Sequence, residues 1–393
     1  MTERAPGTAL PVSLYVHVPF CRAKCAYCDF HSVPGSQEEF VPFVESALRR
    51  VDELAAAGRA GLLTDVPTLY VGGGTPTVLG ESLVVLVRGL REQIGLRDDA
   101  EVTVEANPDS CGPALVAALV DAGVTRISLG VQSFDDAVLR TLGRPHSAAR
   151  ASAAARVLDS ADVRFSLDLI CGVPGQTFAS WDETLERAVA SGARHISVYP
   201  LTVEEGTPLA AAIASGEAPA PDPDVAADMM LAAEVALAAS GLPRYEVANY
   251  AASRYQSCHN IVYWTGGAYL GAGPSAASML PLETYRAAGL DVVAGIPVDA
   301  SGGRVRFVLE GPSPGGEYLA PDDAAREDVM LRLRMTAGVS TSQVDAAGLK
   351  ATLEELRERG LVEVHAGADG PRWRTTQQGW LLGNEVFGAV WTV

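Results

Sequence analysis

The stretch "SLYVHVPFCRAKCAYCDFHSV", residues 13–33, carries the strongest signal for the fold and the chemistry of this chain. It places Cys21, Cys25 and Cys28 within eight residues, in the spacing C-x3-C-x2-C. Clustered cysteines are typical of zinc and iron–sulfur sites, and both kinds of site normally take four protein ligands. Here Asp29 and Phe30 follow, where a further cysteine could stand. Either a distant residue completes the site or one metal position stays open to a small molecule.

Strand-like and helix-like segments alternate from Ser13 to about Pro200. The β-rich runs are SLYVHV, TLYVGG, EVTVEA, RISLGV, RFSLDLI and HISVYPL. The segments between them have the periodicity of amphipathic helices. Strands that alternate with helices of this length indicate parallel pairing, so six such units predict a partial (β/α)6 barrel in the α/β class.

The rest of the chain predicts further units, because 393 residues exceed what one core normally serves. We expect a short disordered N-terminus over residues 1–12, the barrel over 13–245 and a connecting segment over 246–320. Residues 321–393 read as two charged helices, a short hairpin and a final helix. This order predicts a small α+β domain that is similar to a winged helix.

Charge and hydropathy narrow the function classes. Lys and Arg total 30 against 48 Asp and Glu, which gives a net charge of −18 and argues against nucleic-acid binding, including radical modification of tRNA. The chain shows no secretory signal and no apolar run of about 20 residues, so no membrane span is expected. Six cysteines without a disulfide-like pattern predict a cytoplasmic protein. Cys111 and Cys171 have apolar neighbours and are expected to be buried as small apolar residues.

Polar motifs follow the predicted strands at the end where barrels carry their active sites. They are "PFC", "GGGTPT", "EANPD", "VQSF" and "DLICGVPGQT". Three thiolates can hold three irons of a [4Fe–4S] cube, and the amino and carboxylate groups of S-adenosylmethionine can occupy the fourth. The alternative is a structural zinc completed by His17 or His31.

These motifs, with "YVHVPFCRAKCAYCDF" and "ISVYPLTVEEGTPL", resemble the radical S-adenosylmethionine proteins related to oxygen-independent coproporphyrinogen III oxidase. The resemblance extends from about Ser13 to the C-terminus and implies the partial radical SAM barrel. It also implies that Cys21, Cys25 and Cys28 hold a [4Fe–4S] cluster. The S-adenosylmethionine on the cluster would contact Tyr15, Gly73, Gly74, Thr75 and Glu105. In the oxidase a second S-adenosylmethionine is held near the positions that match Tyr27, Gln132, Arg144 and Asp168.

Two branches of this family differ in function. The oxidase resembles C-x3-C-x2-C-x-C and carries a long segment before its first strand, whereas this chain has Phe30 at the fourth position and reaches its first strand early. "HNIVYW", residues 259–264, is similar to the H-N-x-x-Y-W motif of the heme chaperone branch. That branch binds heme and passes it to acceptor proteins such as respiratory enzymes.

The chaperone resemblance implies heme as a further cofactor, with His259 as its ligand and Cys258 as a second candidate. Tyr263, Trp264 and Tyr269 would offer flat apolar surfaces to the porphyrin. Where the chaperone pattern commonly reads G-x-G-A-H, this chain has Ala277 in place of the histidine. Heme, heme-accepting proteins and a second copy in a homodimer are the expected partners. The alternative function is the oxidative decarboxylation of coproporphyrinogen III, so the resemblance leaves open whether the protein is an enzyme.

Overall fold

A computed structural model describes residues 10–57 and 61–391 of the chain. In chain order the elements of its first part are β1 (Ser13–Val18), β2 (Phe20–Cys21), β3 (Val33–Pro34), α1 (Gln37–Ala56), β4 (Val66–Gly73), a 3-10 turn (Pro76–Leu79), α2 (Glu81–Gln93), β5 (Leu96–Ala106), α3 (Pro113–Asp121), β6 (Arg126–Gln132), α4 (Asp136–Thr141), α5 (Ala148–Ser160), β7 (Arg164–Cys171), α6 (Phe178–Ala190) and β8 (His195–Pro200). Each of the six predicted strand runs forms a strand here.

The six predicted strands lie side by side and parallel, in the order β1, β4, β5, β6, β7, β8. Helices connect successive strands, as parallel pairing requires. This confirms the partial (β/α)6 barrel. Because all six C-terminal ends meet at one rim, the loops that carry the polar motifs are brought together there.

Side chains alternate between the two faces of these strands. One face is apolar and packs under the helices, as the full burial of Ile127, Leu129 and Val131 on β6 illustrates. The other face lines the interior of the barrel and is polar, with Arg126 and Ser128 on the same strand. A strand has a period of two residues, so both patterns fit in one buried run.

The predicted connecting segment, residues 246–320, does more than connect two domains. From the end of β8 onward the elements are α7 (Pro208–Ser215), α8 (Pro223–Ala239), β9 (Asn249–Ala251), α9 (Cys258–Trp264), β10 (Tyr269–Ala272), β11 (Ala277–Pro281), α10 (Leu282–Ala287), β12 (Arg304–Val308) and β13 (Gly315–Leu319). Strand β10 pairs parallel with β1, and β11, β12 and β13 continue the same sheet in antiparallel order. These strands are short, so their pattern in the sequence is weak.

The C-terminal part builds the expected small α+β unit. Its elements are α11 (Pro321–Arg332), β14 (Val339–Ser340), α12 (Thr341–Ala346), α13 (Lys350–Glu358), β15 (Val362–Gly367), β16 (Gly370–Thr375), α14 (Gln377–Leu381) and α15 (Gly383–Trp391). The strands form a three-stranded antiparallel sheet, and the unit has its own apolar core. It rests on the barrel through Trp380, whose Nε1 donates to the Val247 carbonyl (2.8 Å), and Arg332, which donates to the Thr265 carbonyl (3.0 Å).

The disorder predicted for the N-terminus and the membrane-spanning potential of the helices can each be compared with the structure. The disorder predicted for residues 1–12 concerns mainly residues 1–9, which lie outside the described residues. Across residues 10–57 and 61–391, no helix combines the length and the apolar character that crossing a membrane demands.

Candidate functional site

A cavity of about 360 Å³ opens at the rim formed by the C-terminal ends of the barrel strands. The loop after β1 lies over it and contributes all three clustered cysteines. Eight of the nine residues predicted to bind S-adenosylmethionine also line it: Tyr27, Gly73, Gly74, Thr75, Glu105, Gln132, Arg144 and Asp168. Residues from several neighbouring strands therefore converge on one space.

The cysteine loop is held in place by the barrel. Its backbone is tied at Ala26, whose N–H donates to the Leu142 carbonyl (3.1 Å) and whose carbonyl accepts from the Leu209 N–H (2.8 Å). The Thr75 hydroxyl lies 3.6 Å from the Cys21 sulfur. A side chain at Gly74 would place Cβ 2.5 Å from the Phe20 carbonyl oxygen, so only glycine lets the Gly-rich turn approach the loop this closely.

Arg144 links the cysteine loop to the barrel wall. One guanidinium nitrogen donates to the Cys25 sulfur (3.3 Å), and the other donates to the Asn107 side chain (2.6 Å) and the Gly130 carbonyl (2.7 Å). These contacts hold the Cys25 side chain against the barrel wall. Burial raises the pKa of the neighbouring Cys28 thiol.

The thiols fit an iron–sulfur cluster better than a single zinc ion. A zinc site would need His17 or His31 as its fourth ligand, and His17 is engaged elsewhere, since its Nε2 lies 2.8 Å from the His31 carbonyl and its Nδ1 3.0 Å from the Tyr15 hydroxyl. Three soft sulfur donors at a cavity wall, one beside a guanidinium, fit a cluster with one open iron.

Glu105 is an acidic group bonded directly to the Gly-rich turn. It accepts hydrogen bonds from the Tyr70 hydroxyl (2.7 Å) and from the Gly73 N–H (2.9 Å). Burial raises its pKa from 4.5 to about 7, although both hydrogen bonds oppose this shift. The carboxyl is therefore poised between its neutral and charged forms near neutral pH, which suits a group that receives a polar ligand.

Asp168 and Gln132 are two further polar residues in the wall of the cavity. Asp168 accepts from the Ser128 hydroxyl (3.0 Å), which in turn accepts from Ser166 (2.9 Å), and burial raises the pKa of Asp168. Gln132 has a φ of 65°, in the left-handed region that non-glycine residues rarely occupy. The pairing of β6 with β7 shifts between Gly130 and Gln132, so a bulge directs this side chain at the cavity.

The ninth predicted residue, Tyr15, is not among the residues that line this cavity. Its ring lines a second cleft, of about 470 Å³, between the sheet and helix α11. The structure brings the predicted porphyrin-facing residues Tyr263, Trp264 and Tyr269 together in this cleft, which we call the aromatic cleft. Its remaining lining residues are His17, Ser275, Ala277, Met279, Arg306, Glu327 and Leu331.

His259 is buried between the two spaces and has hydrogen bonds on both ring nitrogens. Its Nδ1 lies 2.7 Å from the Thr68 hydroxyl and its Nε2 lies 2.9 Å from the Tyr263 hydroxyl. Burial lowers the pKa of this imidazole to about 3, so the ring is neutral. The structure therefore places His259 behind the wall of the aromatic cleft, while Cys258 is exposed and lines neither space.

A buried ion pair that the sequence analysis missed supports α9. Arg126 donates to Glu101 (2.9 Å) and to the Tyr255 carbonyl (2.7 Å), and the other oxygen of Glu101 accepts from the His259 N–H (3.1 Å). Charged residues that alternate with apolar ones in the runs "EVTVEA" and "RISLGV" are the signal that could have revealed this pair. The expected burial of Cys111 and Cys171 is confirmed.

Comparisons with known proteins agree with this geometry. The pattern of the radical SAM superfamily matches residues 15–188, and that of the HemN C-terminal domain matches residues 319–382. In solved structures, coproporphyrinogen III oxidase (HemN) from Escherichia coli has a similar fold: the TM-score is 0.75 at 22% identity, over 98% of this chain and 91% of that one. At this identity the likeness concerns the fold.

Two relatives carry the family assignment. The heme chaperone HemW of Mycobacterium tuberculosis is 37% identical over 97% of this chain and 95% of its own length. The heme chaperone HemW of Bacillus subtilis is 31% identical over 96% of this chain and 98% of its own length. With such similarity along nearly its entire length, the chain belongs to the HemW heme chaperone family of radical SAM proteins.

Proposed function

We propose that this protein binds heme and passes it to acceptor proteins in the cytoplasm. The observation that carries the proposal is the aromatic cleft. It gathers Tyr15, Tyr263, Trp264 and Tyr269 around one space, and flat aromatic walls are the surfaces on which a porphyrin packs. Family membership supports the same function, because the relatives that cover almost the full chain are named heme chaperones.

One polar group at the aromatic cleft suits the other parts of heme. It is not Arg306, which lines the cleft but whose guanidinium already pairs with Glu317 (2.7 Å) and with Glu327. The indole Nε1–H of Trp264 is buried and, within the described residues, lacks a hydrogen-bond acceptor. An unsatisfied buried donor costs free energy, and a ligand that carries an acceptor relieves that cost.

The cavity at the barrel rim serves a separate task. The radical SAM family implies a [4Fe–4S] cluster and S-adenosylmethionine, and we assign the cluster to Cys21, Cys25 and Cys28. Glu105 and Asp168 would accept hydrogen bonds from the polar groups of S-adenosylmethionine, and Gln132 and Arg144 would donate them. When bound, the cluster supplies single electrons to the bound S-adenosylmethionine. The protein orients both groups and shields them from water.

An anaerobic heme titration of cluster-reconstituted protein tests the proposal. Wild-type protein should bind about one heme per chain, as followed by absorption spectroscopy. Ala277→Trp places a large ring inside the aromatic cleft and should weaken binding strongly, whereas Ala366→Trp, on an exposed position of β15, is a matched control that should not. Equal binding by both variants would move heme out of this cleft, and the absence of saturable binding in wild type would refute the function.

A second candidate is the oxidation of coproporphyrinogen III, and the cavity at the barrel rim favours it because it has the polar lining that a radical SAM enzyme needs. Phe30 argues against it, since this exposed side chain stands where the oxidase has a fourth cysteine. Incubation with coproporphyrinogen III, S-adenosylmethionine and a reductant separates the two functions. We expect no protoporphyrinogen IX under conditions in which the cluster stays intact.

A further inference from the structure

We propose that the inner end of the barrel cavity is a binding site for a carboxylate, formed by Arg126, His195 and Thr103. The inference goes beyond heme transfer, because none of these three residues lines the aromatic cleft. All three line the barrel cavity. The observation that carries the proposal is that each has a buried polar atom without a hydrogen-bond partner within residues 10–57 and 61–391: Nη1 of Arg126, Nδ1 of His195 and Oγ1 of Thr103.

These side chains lie below the residues assigned to S-adenosylmethionine. The strands run toward the rim, so a residue earlier in a strand lies deeper, by about 3.3 Å per residue. Thr103 precedes Glu105 on β5. Arg126 precedes Gln132 on β6, and Thr103 and Arg126 are direct partners in the pairing of these two strands. His195 is the first residue of β8. Together they form the inner end of the cavity.

Arg126 is held firmly while one of its nitrogens stays available. The side chain is 2% exposed. Its Nε donates to Glu101 (2.9 Å), and its Nη2 donates to the carbonyls of Tyr255 (2.7 Å) and Gln256 (3.1 Å). These contacts fix the guanidinium and leave Nη1 over. A buried donor without an acceptor costs free energy, and a ligand that carries an acceptor relieves that cost.

The hydrogen-bond network defines which nitrogen of His195 carries the hydrogen. Its Nε2 lies 2.9 Å from the Tyr245 hydroxyl, which accepts from the Ser257 N–H (3.2 Å). Among the described residues this hydroxyl makes no further hydrogen bond, so it donates to Nε2 and the hydrogen of the imidazole is on Nδ1. Burial lowers the pKa of His195, and the positive charge of Arg126 lowers it further, so the ring is neutral.

The three groups define the chemistry of the ligand because all of them can donate. Nη1 of Arg126 and Nδ1 of His195 only donate, and the Thr103 hydroxyl can donate too. A carboxylate accepts several hydrogen bonds at once and forms strong ones with a guanidinium. The acidic groups nearer the rim do not prevent this, because burial raises the pKa values of both Glu105 and Asp168 and so favours their uncharged forms.

NMR spectroscopy of the full-length protein with isotope-labelled histidine tests the proposal, with acetate and hexanoate as probes. The His195 signals, assigned through their loss in His195→Gln, should show the hydrogen on Nδ1, and the probes should shift the Nδ1 signal saturably. Thr103→Val keeps the shape of the side chain and removes an unpartnered hydroxyl, so the fold should persist while the probes bind about 10-fold more weakly. Thr184→Val changes a buried threonine outside the cavity and should bind them like wild type.

Each outcome supports or overturns the site. Tighter binding of acetate assigns it to a free small acid, and tighter binding of hexanoate assigns it to the carboxylate arm of a longer molecule; both uphold it. A hydrogen on Nε2 instead of Nδ1 overturns the donor set. The absence of saturable binding by both probes leaves the inner end to ordered water and overturns the proposal, as does equal weakening in the two threonine variants. Calorimetric titration of wild type with the probes decides the matter even where His195→Gln fails to fold.

Discussion

The buried ion pair between Arg126 and Glu101 gives the sharpest test of how the barrel supports α9. Arg126 is 2% exposed and Glu101 is 7% exposed. The substitution Glu101→Gln keeps the shape of the side chain and can still accept from the His259 N–H. It removes the negative charge, however, and leaves the guanidinium of Arg126 buried without a counterion.

The magnitude follows from the cost of an uncompensated buried charge. Removing one partner of such a pair costs about 3–5 kcal/mol of unfolding free energy. With an unfolding entropy of about 2.1 cal/mol/K per residue, 393 residues give roughly 0.8 kcal/mol/K. Differential scanning calorimetry should therefore show a decrease in Tm of about 4–6 °C for Glu101→Gln.

Two further variants control this experiment. Glu363→Gln breaks an exposed ion pair with Arg374 and should change Tm by about 1 °C or less, because such pairs contribute little. The double variant Glu101→Gln with Arg126→Met removes the stranded charge and should recover part of the loss. A Tm for Glu101→Gln within about 1 °C of wild type would show that the pair does not support the fold as argued.

Three other predictions concern pH, the cysteine loop and its exposed neighbour. Burial raises the pKa of Glu246 from 4.5 to about 7, so the folded protein keeps this proton while the unfolded chain loses it. The free energy of unfolding should therefore decrease as the pH rises from 4.5 to about 7. In urea denaturation, the stability of Glu246→Gln relative to wild type should increase as the pH rises from 5 to about 7.5. A stability difference between the two proteins that does not change with pH would contradict this. Cys25→Ser and Arg144→Met should both lower the iron content of reconstituted protein and leave the far-UV circular dichroism spectrum unchanged. Cys25→Ser should have the stronger effect because it removes a proposed cluster ligand. Phe30→Ala should change neither iron content nor, by more than about 0.5 kcal/mol, stability, because the side chain is 61% exposed; loss of iron would give Phe30 a role at the cluster.

The barrel could be predicted from the sequence because its strands are long and its helices strongly periodic. The six runs that begin with "SLYVHV" predict the fold, and the cysteine spacing after the first run predicts where the site lies on the barrel rim. Strands β11 to β13 were not predicted from the sequence, and the reason is physical. Antiparallel strands of five residues carry little pattern of their own, and the sheet they extend is formed by residues far away in the chain.

The environment of His259 could not be predicted from its motif. A histidine followed by Tyr and Trp reads as a heme ligand. The residues around it come from strands well over a hundred residues earlier: Thr68 bonds the ring and Ser13 bonds Thr68, while Glu101 accepts from the backbone N–H. The same holds for Tyr15, which the family pattern assigns to S-adenosylmethionine and which the structure places in the aromatic cleft. Local patterns identify which residues matter, while tertiary contacts decide what each of them touches.

Helix α9 is a common wall of the two spaces: Asn260 lines the cavity at the barrel rim, and Tyr263 and Trp264 line the aromatic cleft. Thermodynamic linkage gives this arrangement a consequence. Whatever factor a ligand in the cleft applies to the affinity for S-adenosylmethionine through α9, S-adenosylmethionine must apply to the affinity for that ligand. A factor other than one would make the occupancy of the barrel cavity set how firmly the aromatic cleft holds its ligand.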